Sequence, residues 1–397
     1  MNTFFLGSNP ALSLQEIILF LKRNKIEHSI HSINHGLLRI STTGKISPEI
    51  IQSLGGTIRI TEDVASWPHE PGAEEILDAL SPLPTKWEIG VGGAGTSQNL
   101  RRLGIELKKA ARVRSSKLSF VEPRGGSILN AAQVIFHKLT STPNAELIIQ
   151  KTGNDFTLTR TVAIQDIASY ELRDTSRPVR DAKIGMLPPK LAQIMINLAL
   201  PETIPDNHAI YDPFCGMGTI LQEAYLMGIK AYGSDESDRM IFASEKNLNH
   251  VEQRFAVDKT LRPELFIHNV RSKSIKDIPA EKHMTIITEP YLGAPQTHAL
   301  SPTEAQDFAK TVRPLYRTFF VNMHPLLHTG DRLLILLPAV RVRHKSSDTF
   351  TPLHRAFLDE ISALGYRKQQ LIPQEDVTLY ARPDAFVARE ITLWEAV

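Results

Sequence analysis

Along the first stretch of the chain, apolar positions switch between two periods. Thr3–Gly7 reads as a strand, and Leu14–Asn24 carries apolar residues at helical spacing behind Ser13, a capping residue type. His28–Ile33 and Leu37–Ser41 return to the strand period. Ser47–Leu54 reads as a short helix stopped by Gly55-Gly56, and Ile58–Ser66 is a last strand. The order βαββαβ predicts a small ferredoxin-like α+β unit over 1–67, closed by the breaker run Trp67-Pro68-His69-Glu70-Pro71-Gly72.

Far along the chain the rhythm becomes that of a parallel α/β sheet. Pro188-Pro189 opens a helix over Lys190–Leu200. Strands are predicted at Ala209–Asp212, Ile229–Ser234, Glu264–His268, Met284–Thr288 and Arg332–Leu337, with a closing antiparallel pair near Arg367–Leu371 and Glu390–Glu395. An α/β domain is therefore expected over 190–397. Before it, 167–189 mixes Arg173, Asp174, Arg177, Pro178, Arg180, Asp181 and Lys183 with Gly185 and prolines, the composition of a linker.

With 397 residues, the chain holds two or three domains at about 100–200 residues each. A net charge of +2 excludes a polycation, so any nucleic-acid contact must come from a local patch. One such patch exists. From Gln98 to Arg124 there are eight basic residues (Arg101, Arg102, Lys108, Lys109, Arg112, Arg114, Lys117 and Arg124), opposed only by Glu106 and Glu122. A solvated helix face and a phosphate-binding surface explain this pattern equally well. The single cysteine, Cys215, excludes an internal disulfide and a cysteine-rich zinc site and fits a reducing compartment; no metal is expected. The longest apolar run, around Leu333–Leu337, is far short of the ~20 residues that span a bilayer, and the N-terminus has no basic leader region, so a cytoplasmic protein is expected.

The stretch Tyr211-Asp212-Pro213-Phe214-Cys215-Gly216-Met217-Gly218-Thr219-Ile220 carries the chemistry. It follows a strand and opens the helix Ile220–Met227, and its two glycines let a ligand approach backbone amides at the helix start. The third glycine of the dinucleotide fingerprint is missing. Asp235 ends the next strand, beside Glu236, where an acid can accept both ribose hydroxyls of a nucleoside. Asn269, ahead of Val270, ends the strand after that and could face an adenine edge. These features describe a nucleoside site with no phosphate demand, which suits S-adenosylmethionine better than NAD or ATP. Cys215 reads as a small packing residue in this turn, and His298 and His324 carry no evident role.

The run Asp212–Ile220 resembles the first motif of class I amino-methyltransferases. Ile164-Gln165-Asp166-Ile167, Tyr170, Arg173-Asp174, Arg177-Pro178, Arg180-Asp181 and Gly185-Met186-Leu187-Pro188-Pro189-Lys190-Leu191-Ala192-Gln193 resemble THUMP-domain tRNA guanosine-N2 methyltransferases of the archaeal and eukaryotic position-10 family. The likeness is tightest from Ile164 to Gly293 and thin after Leu300. It implies a ferredoxin-like domain (1–67), a THUMP-like RNA-binding domain (68–166), a linker (167–189) and a Rossmann-like methyltransferase domain (190–397). It implies S-adenosylmethionine as cofactor, held by Asp212, Pro213, Phe214, Cys215, Gly216, Gly218, Thr219, Asp235, Glu236, Asn269, Val270 and Leu187. It also implies tRNA as partner, docked on Arg101, Lys108, Lys109, Arg112, Arg114, Lys117 and Arg124, with no membrane. A small accessory protein or a second copy of the chain stays open.

The fourth motif departs from the family, which carries an acid, Asn or Ser followed by Pro-Pro-aromatic. Here the strand runs through Thr288 into Glu289-Pro290-Tyr291-Leu292. Without a gap, Glu289 takes the acidic place; shifted by one, Thr288 takes the polar place and Tyr291 stays aromatic. We adopt the ungapped register, which leaves Thr288 and Gly293 in their family positions. The guanine amino nitrogen is a poor nucleophile because its lone pair is delocalised. A carboxylate from Glu289 and a carbonyl from Glu289 or Pro290 would localise that pair and aim it at a methyl donor. Tyr291 serves equally as a stacking face or as a ring packed under the strand. The expected activity is methyl transfer to the exocyclic N2 of a guanosine in tRNA, at position 10 as the resemblance implies. An N6-adenine nucleic-acid methyltransferase and a non-catalytic tRNA-binding protein that keeps the cofactor fold are the alternatives.

Overall fold

Strand-period residues at the start of the chain pair as their order predicts. In the computed structural model β1 (Asn2–Leu6), α1 (Pro10–Arg23), β2 (His28–Asn34), β3 (Leu37–Thr42) and β4 (Thr57–Trp67) succeed one another, and the strands lie β2-β3-β1-β4 with every neighbour antiparallel. The structure describes residues 1–181, 186–272, 278, 281, 283–344, 347–352, 358–373 and 375–397; Lys183 and Gly185 of the expected linker lie outside them. The chain divides into two units, 1–14 with 25–169 and 15–24 with 170–397.

Two local readings change. Helix α1 starts at Pro10, because Asn9 and not Ser13 caps it: the Asn9 Oδ1 accepts the Leu12 N–H at 3.2 Å. Ser13 sits inside the helix, donating its hydroxyl to the Asn9 carbonyl at 2.9 Å. The short helix at Ser47–Leu54 is a 3₁₀ turn over Pro48–Ser53.

In the first unit the sheet does not stop at Trp67. After α2 (Ala73–Ala79), β5 (Lys86–Ala94), α3 (Leu100–Val113), β6 (Lys117–Val121), α4 (Ala131–Phe136), β7 (Ala145–Thr152) and β8 (Asp155–Ile164), β8 pairs antiparallel with β4. One eight-stranded sheet results, in the order β2-β3-β1-β4-β8-β7-β5-β6. Asn99 caps α3 by accepting the Arg102 N–H at 3.0 Å. Leu103, Leu107, Ala110 and Ala111 then face the sheet and bury against Ile89, Leu147 and Ile149. A Cβ at Gly104 would meet the Phe120 ring at 2.4 Å, so glycine lets α3 seat closely on β6.

The second unit holds α5 (Ile167–Arg173), α6 (Pro189–Ala199), β9 (His208–Asp212), α7 (Thr219–Leu226), β10 (Ala231–Asp235), α8 (Asp238–Arg254), β11 (Glu264–Ile267), β12 (His283–Thr288), α9 (Pro302–Met323), β13 (Arg332–Val342), β14 (Thr349–Pro352), α10 (Leu358–Ala363), β15 (Tyr366–Gln369), β16 (Thr378–Tyr380) and β17 (Val387–Ala396), α5 straddling the division between the units. The path through its sheet is β11-β10-β9-β12-β13-β17-β15. Strands β9 to β13 run parallel to one another, and β17 runs antiparallel between β13 and β15. The chain leaves β9 first toward β10 and later toward β12, which opens a crevice at their carboxyl ends.

The stretch read as a linker is packed where it is described. Arg173 pairs with the buried Glu223 of α7 at 2.9 Å, and the Val179 N–H donates to Asn247 Oδ1 of α8 at 3.0 Å. Across the sheet, Phe308, Val312, Tyr316, Phe319 and Phe320 of α9 bury against Tyr211, Ile286, Leu333 and Trp394.

Candidate cofactor and base site

At the crevice, the β9–α7 turn is built on two left-handed glycines, Gly216 (φ +53°) and Gly218 (φ +80°). At Gly218 a Cβ would lie 2.2 Å from Ser244 Oγ, so no other residue fits between the turn and α8. The turn closes through Gly218 N–H to the Cys215 carbonyl (2.8 Å) and Cys215 N–H to the Ser234 carbonyl (2.9 Å). Cys215 is buried, and burial pushes its thiol well up, which suits a packing residue and not a nucleophile.

Three acids stand at successive strand ends. Asp235, ending β10, accepts the Gly216 N–H at 3.1 Å and the Ser237 N–H at 3.0 Å, which fix its carboxylate beside the turn. Burial raises its pKa while those two amides hold it down. Asp212, ending β9, is buried and accepts the Thr288 hydroxyl at 2.6 Å and the Phe214 N–H at 3.2 Å. Burial pushes it up to about 7. Glu289, just past β12, accepts the Arg389 Nε–H at 2.6 Å; burial raises its pKa and the guanidinium opposes the rise.

Around these acids lies a cleft of about 700 Å³, of a size that holds a nucleoside-based ligand. Its walls include Leu187, Asp212, Pro213, Phe214, Cys215, Gly216, Thr219, Asp235, Glu236, Asn269 and Val270, with Glu289, Pro290 and Tyr291 on the β12 side. Gly218 is not on the wall; it lies beneath, against Ser244. Thr288 is not on the wall either, being fully buried with its hydroxyl spent on Asp212. Of the two candidates for the acidic or polar place of the fourth motif, only Glu289 lines the cleft. Asn269 is exposed, and its Oδ1 already accepts the Arg271 N–H at 2.9 Å, which leaves one lone pair for a ligand. Tyr291 is 60% exposed, so it does not pack under the strand; its backbone carbonyl accepts the Tyr316 hydroxyl at 3.0 Å.

Sequence reasoning missed Arg177, Met240 and His268, which also line the cleft. Arg177 was visible only as part of an Arg-Pro pair in the supposed linker. Arg389 was invisible, because its partner Glu289 is 100 positions away in sequence.

In the first unit, Arg101, Lys108, Lys109 and Arg112 are exposed along α3, Lys117 is exposed on β6, and Arg124 is exposed in the loop after it. They are not equally available. Arg114 is half-buried and tied to Glu74 and, at 2.6 Å, to Asp78; Arg101 reaches Glu122 at 3.3 Å. Among the described residues no cluster of His, Cys, Asp and Glu could hold a metal ion, and no helix is long and apolar enough to cross a membrane.

Residues 177–349 match the family model described as UPF0020, RMKL-like, methyltransferase domain. The cleft lies within a methyltransferase match. The chain is 31% identical over 186 residues to a tRNA (guanine(10)-N2)-dimethyltransferase of Methanothermobacter thermautotrophicus, covering 46% of this chain and 47% of that one. It is 33% identical over 109 residues to the protein of the same name from Methanocaldococcus jannaschii, covering 28% and 29%. The matched stretches span under half the length of these curated relatives. A solved structure of a possible methylase from Clostridium difficile shares the fold, with a TM-score of 0.50 at 12% identity over 100% of this chain and 98% of that one.

Proposed function

We propose that the chain is an S-adenosylmethionine-dependent methyltransferase that acts on the exocyclic N2 of a guanosine in tRNA, at position 10 as in the names of its relatives, and works in the cytoplasm. The observation that carries the reading is the pairing, across one cleft, of the Asp235 carboxylate with the Glu289 carboxylate and the exposed Tyr291. The residues fit the cofactor. Asp235 can accept two ribose hydroxyls, the glycine turn admits a ligand to backbone amides, and the Asp212 carboxyl on the cleft wall can accept from the cofactor's ammonium group. When bound, S-adenosylmethionine supplies an electrophilic methyl group.

The chain's own residues do the rest. Glu289 accepts one amino hydrogen of guanine while Arg389 favours its ionised form, and the Glu289 or Pro290 carbonyl is the second acceptor in this scheme. Tyr291 offers a free face on which a base drawn out of the RNA can stack. The modular reading of 1–67, 68–166, 167–189 and 190–397 belongs to the same proposal, as does tRNA docking on Arg101, Lys108, Lys109, Arg112, Lys117 and Arg124. Arg114 contributes little to docking while Glu74 and Asp78 hold it.

Nucleoside mass spectrometry of tRNA incubated with the protein and S-adenosylmethionine tests the reading. It should find N2-methylguanosine, or its dimethylated form as the relatives' names suggest. N6-methyladenosine would instead favour an adenine methyltransferase. No modified nucleoside, with tRNA still shifted in a gel, would identify a binding protein without turnover.

A further inference from the structure

The charge around the cleft is lopsided. Asp212, Asp235, Glu236 and Glu289 line it, against Arg177 and Arg271. Glu289 has its own counter-ion in Arg389. Arg271 is exposed and follows Asn269 beyond β11, on the far side of Asp235 from the glycine turn.

Arg177 is different. It is 3% exposed, and its Nη1 donates to the Thr219 hydroxyl at 2.9 Å, at the first residue of α7. Its Nη2 lies against the Met186 sulfur, a weak acceptor. Its Nε has no hydrogen-bond partner among the described residues, and none of their carboxylates forms an ion pair with it. Asp174 and Glu223 act on it only over distance, and burial still lowers its pKa. A buried guanidinium that spends its donors on neutral acceptors has unused capacity for an anion.

We propose that Arg177 is the anchor for the carboxylate of the cofactor's methionine moiety, and so the residue that makes the cleft select an amino-acid-bearing nucleoside over a plain one. The inference rests on the reading that S-adenosylmethionine occupies the cleft. Strand order supports it. With the ribose at the end of β10 and the acceptor base beside β12, the amino-acid arm has to cross the β9–α7 turn, where Thr219 holds Arg177. The sulfonium and ammonium find acids on this path, and the carboxylate finds Arg177.

Isothermal calorimetry on the full chain with S-adenosylmethionine and with decarboxylated S-adenosylmethionine tests this without requiring catalysis. The wild type should bind the decarboxylated compound about ten- to a hundredfold more weakly, the loss expected for charge-assisted hydrogen bonds to one group. Arg177→Met should bind both compounds alike, at the wild type's affinity for the decarboxylated one, and Arg177→Lys should recover part of the preference. Equal binding of the two compounds by the wild type overturns the assignment even if the variants fail to fold, as does a preference that survives in folded Arg177→Met. A wild type that binds neither compound overturns the cofactor reading, and this inference with it.

Discussion

At the scale of single residues, the account turns on Glu289. Its carboxylate is held by Arg389 at 2.6 Å and reaches the cleft, whereas the neighbouring Thr288 hydroxyl is committed to Asp212. Glu289→Gln keeps the size and one acceptor but loses the charge. Single-turnover methyl transfer should slow by ~10²–10³, the usual loss for one preorganised electrostatic group, with cofactor affinity unchanged. A Thr288→Ala defect larger than that of Glu289→Gln would return the assignment to the shifted register. Asp235 and Asp212 were legible in the sequence because each ends a strand whose apolar run could be read, and Glu289, just past β12, through the resemblance to the fourth methyltransferase motif. Arg177 and Arg389 were not, since a residue in a charged, proline-containing stretch or on a distant strand gives no local sign of what it faces. Nor could the sequence tell that Arg114, unlike Lys108, is spoken for by Glu74 and Asp78.

Among the elements, strands β9 to β13 announced themselves by short apolar runs bounded by turns, and α6 by the prolines that open it. Helix α9 was harder. Pro314 lies inside it and argues against a helix, yet the Ser301–Glu304 capping box starts it and a full apolar face from Phe308 to Phe320 holds it on the sheet. Its consequence for the site is specific. Tyr316 is fully buried and donates its hydroxyl to the Tyr291 carbonyl at 3.0 Å, so α9 fixes the segment that follows β12. Tyr316→Phe removes one hydrogen bond, about 1 kcal/mol, with little change in packing. Methyl transfer should weaken several-fold while cofactor affinity, measured by calorimetry, stays the same. An equal loss in both would mean that the helix supports the whole cleft and not that segment alone.

For the whole molecule, the composition bounded the domain count, but it could not reveal that the segments on either side of Trp67 share one sheet. That depends on β4 pairing with β8, a long-range contact that leaves no periodic trace. It also left the basic stretch undecided. On the structure, Lys108, Lys109 and Arg112 are exposed on α3, whose opposite face is buried. Replacing all three by alanine should weaken tRNA binding and flatten its log–log salt dependence by up to about 2–3 units, at ~0.7–0.9 per phosphate contact. Filter binding across a salt series reads this directly; an unchanged slope would make that face a solvated surface only.

The central claim is that the cleft methylates the exocyclic amino group of guanine, which Glu289 orients. The most direct test is transfer of labelled methyl to a tRNA transcript with guanosine at position 10, compared with the same transcript carrying inosine there, which lacks only that amino group. Both transcripts should bind alike, and only the guanosine transcript should accept methyl; equal incorporation into the inosine transcript would contradict the account.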